Sequence, residues 1–549
     1  MVPDPVSAAL GKFGAWQARS LLLLALVKIP AGWHMLSILF LAPNPETFGG
    51  CFLCARDNSS KISLNEWIQT RHPVDQRYPL GFDPCNIYPE INGTVSRTAG
   101  SLQECNKFEF IINEPTMVSQ WSLVCNRGVL VSVVQLFYLL GITSGGVVTF
   151  ILLKRFSPKM VIMAGTVLQV SAGIAGALQP IFEVHCFLKM LIGLGTCLMF
   201  TAANQIIVDI SIGWRKTVFS VCFELFWSIG VMSLGWLDAA ADSWSTLHLI
   251  ISVPSILFLV MWCVIPESPR WLIAHGRFES ADNLLKFAAA CNGRELPLDF
   301  TTRKPIASAG CPRQRLPIFK VICLQFMWIG TVVFYYGALL NIKNVGGPTL
   351  PIRTTIAGAA EIIGMVIGVF LLLNPKHKFG VLSILLLIGG ASCASSFAIP
   401  PNESGSTGGW TMLWLAVGGR ISIACSLAVM SNGSLELLPA DKRAVVGTAM
   451  VTVARMALMT APFLNNLAFY GESITLTFYG VLALIAACGA FCLYVSAEWR
   501  VLLGPCNKKE FSLQAVESRS KPSEAENVVC VNFNQYCIYD AEYETNIAA

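Results

Sequence analysis

The sequence predicts an all-α membrane protein whose twelve transmembrane helices fall into two six-helix halves. Three observations predict it. Twelve apolar runs of about 20 residues follow one another, each long enough to cross a ~30 Å hydrocarbon core. Of the 549 residues, 54% are hydrophobic and only 13% charged, against about 25% charged in a soluble globular chain, and the mean hydropathy is +0.60. One charged, proline-bearing segment then divides the runs six and six.

The first run, Ser20 to Leu41, is too long for the apolar core of a signal peptide and many like it follow, so it reads as the first span. Runs near 129–152, 160–180, 187–208, 217–237 and 246–265 complete one half; runs near 318–341, 353–373, 379–399, 410–431, 444–466 and 474–497 make the other. Several contain glycine or proline, which membrane helices tolerate when neighbouring helices satisfy the freed backbone groups. Between the halves stands Pro266-Glu267-Ser268-Pro269-Arg270-Trp271-Leu272, then an amphipathic stretch to Cys291, then Arg294, Arg303, Lys304, Arg313 and Arg315. Two prolines and a charge cluster straight after an apolar run mean that the chain has left the membrane. The expected divisions are 1–265 for the N-terminal half, 266–317 for a cytoplasmic connector, 318–497 for the C-terminal half and 498–549 for a disordered cytoplasmic tail.

An even number of spans puts both termini on one side, and charge selects the side. Lys154, Arg155, Lys159, Arg215, Lys216, Lys376, Lys378, Lys442, Arg443 and the basic connector lie at one face. The short opposite loops hold mainly Glu183, Asp238, Asp242, Glu403 and Glu472, with Lys343 and Arg353 as exceptions. Both termini are therefore expected in the cytoplasm.

One outer loop, residues 42–128, is large. It carries Cys51, Cys54, Cys85, Cys105 and Cys125 and the sequons at Asn58 and Asn92; a third sequon, at Asn402, falls on the same side. Cysteines at this density outside a cell imply a disulfide-stapled cap. Five is odd, so one is free or pairs elsewhere, and the sequence leaves the connectivity open. The sequon at Asn432 falls at an inner helix end, where glycosylation is excluded.

The halves repeat. Span four exits through Asp209 to Arg215 and span ten through Glu436 to Lys442 and Arg443, with the same acid-to-base spacing. Lys154-Arg155-Phe156-Ser157-Pro158-Lys159 after span two matches Asn374-Pro375-Lys376-His377-Lys378 after span eight. Parallel six-span repeats mark major-facilitator transporters, whose substrate site lies at midplane between the halves.

Specific motifs then resemble one family, the organic cation, organic anion and carnitine transporters (solute carrier family 22). They are Gly11-Lys12-Phe13-Gly14 with Gln17, Ile29-Pro30, Phe40-Leu41-Ala42-Pro43 and Trp121-Ser122-Leu123-Val124-Cys125. The connector Pro266 to Leu272 with Gly276-Arg277-Phe278 adds to them, as do Tyr335-Tyr336-Gly337 with Asn341 and Gly346-Gly347, Glu436-Leu437-Leu438-Pro439 and Ala461-Pro462-Phe463. The likeness covers about residues 10 to 497. It implies a major facilitator fold and a gating charge network of Asp209, Arg215, Glu267, Arg270, Glu436, Arg443, Lys154 and Arg155. One departure stands out: where the family has an acid in the loop after span two, this chain has Lys154, with Ser157 and Pro158 replacing a glycine and an arginine. A cation for an anion reverses the local electrostatics of an inner latch.

Charges within the spans are the candidate site. Arg455 lies twelve residues past Arg443, ~18 Å deep, and Glu361 eight past Arg353, ~12 Å deep, with Glu224 at similar depth from the other face. A charge at the bilayer centre costs on the order of 3 kcal/mol, so such groups face the bundle interior. Arg455 is read as receiving a substrate carboxylate while Glu361 or Glu224 faces a cationic group; the alternative is that Arg455 and a glutamate pair with each other and only hold helices together. The resemblance implies a carnitine-type pattern, because Arg455 is typical of the anion and carnitine branches and Glu361 of the cation and carnitine branches. It also places Trp328, Tyr335, Tyr336, Phe226 and Trp227 around the cavity, where they offer cation–π contact or serve as ordinary packing. His34 is read as a neutral, hydrogen-bonded pocket residue, and Lys189 as snorkelling to the membrane surface.

No nucleotide loop, spaced metal site or nucleophile elbow is present, so neither enzyme nor nucleic-acid partner nor cofactor is expected. The reading is a plasma-membrane secondary transporter of carboxylate-bearing, zwitterionic or anionic organic ions, with the coupling ion or counter-anion left open. An organic cation transporter with a structural Arg455, and a transport-deficient receptor or scaffold, are the alternatives.

Overall fold

The computed structural model describes residues 5–502 apart from 44–50, 57–62, 76–80, 92–93, 96–101, 112–114, 298–299, 303–315, 374–376, 400–405, 434–436 and 440–441. Asn58, Asn92, Asn402, Glu436, and the tail from 503 lie outside the described residues.

Among the described residues, twelve helical segments are long and apolar enough to cross a membrane. Spans one to six are Ala15–Leu41, Cys125–Leu152, Pro158–Ala177, Phe182–Ile210, Arg215–Asp238 and Trp244–Cys263. Spans seven to twelve are Ile318–Asn344, Leu350–Leu373, Lys378–Ala398, Gly408–Ser431, Arg443–Tyr470 and Ser473–Ser496. Each has an apolar surface for lipid and a buried stripe for its neighbours, as membrane bundles require. Below, the connector end is the face where span six finishes and span seven starts; the loop end is the opposite one.

Within the first half, spans two and four touch through glycine. A Cβ on Gly141 would stand 2.0 Å from the Met190 carbonyl oxygen, and one on Gly193 2.3 Å from that of Tyr138. Small residues of this kind let two backbones meet where lipid gives no hydrophobic drive. Gly193→Leu is expected to lower the thermal unfolding temperature of the detergent-solubilised protein clearly, since overpacking a tight contact costs about 1–3 kcal/mol.

The connector lies against the N-terminal half. Helices Pro269–Ala274 and Phe278–Cys291 form it, and Asn292 clamps the chain start: its Oδ1 accepts from the Trp16 amide at 3.0 Å, and its Nδ2 donates to Gln17 Oε1 at 2.7 Å and to the Leu10 carbonyl at 3.3 Å.

The 42–128 loop forms a small cap. Strand Cys51–Cys54 pairs antiparallel with Phe108–Ile111, and helix Leu64–Arg71 is capped by Ser63, whose hydroxyl accepts from the Glu66 amide. Disulfides join Cys54 to Cys105 and Cys85 to Cys125; Cys51 opens the first strand, and its side chain lies outside the described residues. Cys125 also begins span two, and Trp121 Nε1 donates to the Pro180 carbonyl at 2.8 Å, so the cap is fixed to the N-terminal bundle.

One cap residue makes this region pH-sensitive. His72 is buried, its Nδ1 lies 2.8 Å from the Asp83 carbonyl, its Nε2 has no hydrogen-bond partner among the described residues, and burial lowers its pKa from 6.5. The folded cap therefore binds the proton more weakly than the unfolded chain. That contribution is whole above pH 6.5 and falls away as the pH drops below it. The hydrogen-exchange protection factors of the cap strands, which are corrected for the intrinsic slowing of exchange with falling pH, are expected to drop between pH 6.5 and 5 in the wild type and to respond less in His72→Phe.

Candidate functional site

Each intramembrane glutamate has a cation on a neighbouring helix. In span one, Lys28 Nζ lies 2.6 Å from both carboxylate oxygens of Glu224 in span five. The same ammonium stands over the rings of Phe200 at 4.7 Å and Phe223 at 4.8 Å. Span one is broken at residues 26–27, so Lys28 opens a new helical segment at the depth of Glu224.

In the second half, Arg420 of span ten sits 2.5 Å from Glu361 Oε2 and donates to the Tyr335 carbonyl at 2.6 Å. The Tyr335 hydroxyl hydrogen-bonds the other Glu361 oxygen, and the Arg420 guanidinium lies 4.1 Å from the Tyr335 ring centroid. Glu361 is fully buried and Arg420 is 5% exposed. Both carboxylate oxygens are thus occupied by protein. Glu361 or Glu224 is expected from the sequence to face a cationic group of the substrate; the cation that Glu361 faces here is Arg420.

Arg455 differs from both. It makes no ion pair among the described residues; its Nη1 donates at 3.4 Å to the Ile142 carbonyl and reaches Cys197 Sγ at 3.4 Å, and its guanidinium lies 5.7 Å from the Phe200 ring. Arg455 belongs to the C-terminal half and all these partners to the N-terminal half, so it crosses the midline. The expected alternative, Arg455 paired with a glutamate, is not what the structure has. Lys28, Arg420 and Arg455 against Glu224 and Glu361 leave one cation over.

Tyr336 is the hub between the groups. It packs edge-on to Trp227 of span five at 5.8 Å and to Tyr335 at 4.7 Å, and it feels the charges of Glu224, Arg455, Glu361 and Arg420. Trp328 is buried in the main core, and Phe226 packs in the core of the N-terminal half. His34 is not in this set. It lies six residues after Lys28, rotated about 240° and ~9 Å along the helix, and its ring sits 6.0 Å from that of His248. The expectation of a hydrogen-bonded His34 is corrected, since neither ring nitrogen has a partner among the described residues. Lys189 does not snorkel: it is 3% exposed and donates to Ser37 Oγ at 3.1 Å.

The halves also meet nearer the loop end. Ser132 Oγ of span two donates to the Pro462 carbonyl of span eleven at 2.9 Å. Trp236 Nε1 of span five donates to Thr355 Oγ1 of span eight at 3.1 Å.

At the connector end the expected gating charges separate. Asp209 is buried and accepts from Ser268 Oγ at 2.6 Å and Gln205 Nε2 at 3.0 Å, while its carbonyl accepts from Arg270 Nε at 3.0 Å. Glu267 accepts from Ser157 Oγ at 3.2 Å, and burial pushes its carboxyl above the usual range against the pull of that hydroxyl. Arg215 instead lies 4.7 Å from the Trp214 ring, and Arg443 donates to the Leu438 carbonyl at 3.3 Å. Lys154 lies against Phe150 at 4.5 Å, and both Lys154 and Arg155 are exposed. The loop after span two is held by neutral bonds: Trp271 Nε1 donates to the Leu153 carbonyl at 2.8 Å, and His275 Nε2 lies 3.2 Å from the Lys154 carbonyl.

Two six-helix halves meeting over buried, paired charges define a polytopic membrane carrier. The Major Facilitator Superfamily model matches residues 127–462. The "Organic cation transporter protein" of Drosophila melanogaster is 26% identical over 88% of this chain and 90% of its own length. "Solute carrier family 22 member 13" of Homo sapiens is 25% identical over 95% of both chains, and the human "Organic cation/carnitine transporter 2" is 23% identical over 88% and 90%. Among solved structures, the partially occluded inward open form of the xylose transporter XylE from E. coli superposes with a TM-score of 0.54 at 14% identity, over 87% of this chain and 98% of that one. The chain belongs to the Major Facilitator Superfamily, as a secondary transporter of the solute carrier family 22 type.

Proposed function

We propose that this transporter moves small carboxylate-bearing organic ions across the plasma membrane by alternating access, with both termini and the connector in the cytoplasm and the 42–128 cap outside. The single observation that carries this reading is Arg455, a mid-membrane guanidinium whose partners among the described residues are a carbonyl, a thiol and an aromatic face. A carboxylate offers the planar, two-oxygen counterpart that such a fork binds best. In hydrocarbon surroundings that pairing is worth far more than in water.

Glu224 favours a zwitterion within this class. Its side chain is 36% exposed although paired with Lys28, and Trp227 and Tyr336 stand nearby as faces for an alkylammonium. The testing experiment is uptake of labelled carnitine, para-aminohippurate and tetraethylammonium into cells with the protein at their surface. Uptake of either carboxylate above that of the cation supports the reading. Tetraethylammonium alone overturns it in favour of a cation transporter, and uptake of none overturns it in favour of a receptor, the reading that Lys154 in place of the loop acid suggests.

A further inference from the structure

The N-terminal half holds a second set of ionisable groups that the substrate path does not use. His185 and Lys189 of span four, His248 of span six and His34 of span one converge near the loop end. The His185 ring lies 5.6 Å from His248, and His248 lies 6.0 Å from His34. His185 and His248 are fully buried, His34 is 1% and Lys189 3% exposed. Five of the six ring nitrogens have no hydrogen-bond partner among the described residues: both of His34, both of His248 and Nε2 of His185. The sixth, His185 Nδ1, is 3.0 Å from the Gly176 carbonyl, and Lys189 has Ser37 Oγ at 3.1 Å.

A neutral imidazole offers one donor and one lone pair, and each such group buried without a partner costs about 1–3 kcal/mol. Packing would be served better by apolar residues here, so the cluster calls for another explanation. Metal binding is not that explanation, since among the described residues no group of His, Cys, Asp or Glu is arranged to hold an ion. The other groups facing the cluster are neutral: Trp121 and Trp244 pack on His185 at 5.1 and 5.5 Å, span three presents glycine, and Cys186 is a thiol beside Lys189. Glu183, on the same helix, is exposed at the loop end, and no carboxylate bonds to any of the four among the described residues.

We infer that His34, His185, His248 and Lys189 form a proton-binding site, so that the ion linked to the transport cycle is a proton taken from the loop side. The proton adds to an imidazole lone pair or to the Lys189 amine, and the cluster then holds buried positive charge with no anion among the described residues to offset it. That charge weakens the packing of spans one, four and six and favours a conformer in which water reaches the cluster. Lys189 lies seven residues past Phe182, ~10 Å from the loop end, a short distance for water to enter once those helices part. The inference deepens the proposed transport reading by naming its coupling ion, but its primary readout needs no substrate.

The test uses the purified full-length protein in lipid nanodiscs, with thermal unfolding followed from pH 8 to pH 5. The wild type is expected to lose stability as the pH falls, because protonation opposes the described packing. The slope is expected to fall by about half or more in Lys189→Met and in His34→Gln/His185→Gln/His248→Gln, with the single glutamine variants carrying the comparison if the triple variant does not reach the nanodisc. His72 is common to all, so its contribution cancels. A wild-type stability independent of pH, or equal slopes in wild type and variants, overturns the proton site. In proteoliposomes, para-aminohippurate uptake is expected to change several-fold with loop-side pH in the wild type and to flatten in the glutamine variants. Absent uptake in every protein would count against the substrate reading and leave the stability comparison decisive for the proton.

Discussion

Arg455→Ala is expected to cut uptake of a carboxylate probe by about 30-fold or more, since truncating one partner of a desolvated charge pair costs roughly 2–5 kcal/mol. Tetraethylammonium uptake should change little. Arg455→Lys is expected to recover only part of the loss, because a point charge cannot match a carboxylate with two parallel donors. Thermal stability should stay close to the wild type in both variants: among the described residues no glutamate pairs with Arg455, and its removal strands none of them. Initial uptake rates with an unfolding curve for each variant check both halves. Equal loss of carboxylate and cation uptake would reduce Arg455 to a brace between the halves.

The opposite pattern is expected for Arg420. Arg420→Met leaves Glu361 buried with the Tyr335 hydroxyl as its one remaining partner among the described residues, and breaking a buried pair by removing one member costs about 3–5 kcal/mol. Expression and unfolding temperature should both fall steeply. Glu361→Gln/Arg420→Met, which removes both charges, is expected to regain most of that stability, giving a coupling of roughly 1 kcal/mol or more in the double-mutant cycle. Purely additive losses would mean that the ion pair contributes nothing as a pair.

The two experiments separate roles that one span-by-span reading placed together. Twelve spans and the connector were legible because lipid imposes length and apolarity on every crossing element, and because Pro266 and Pro269 end the apolar pattern abruptly. Glu224, Glu361 and Arg455 were legible from depth alone. Their partners were not: Lys28 and Arg420 lie inside runs whose apolar neighbours mask them, and pairing depends on which helix faces which. Counting residues inward along spans one and ten would have found both cations, though not their acids. The cysteines announced a stapled cap while leaving connectivity open, since spacing does not determine which loops fold back. Lys189 and His34 misled because sequence gives depth but not azimuth. Lys189 turns toward Ser37 instead of the membrane surface, and His34 toward His248 instead of Arg455.

The cap has a consequence for how the N-terminal bundle moves. Both of its disulfides close within the 42–128 loop, one of them ends on the first residues of span two, and Trp121 is tied to the turn before span four. Whatever motion the N-terminal bundle makes, the cap must make with it. Antibodies or crosslinks that hold the cap are therefore expected to restrain the N-terminal bundle without touching its interior.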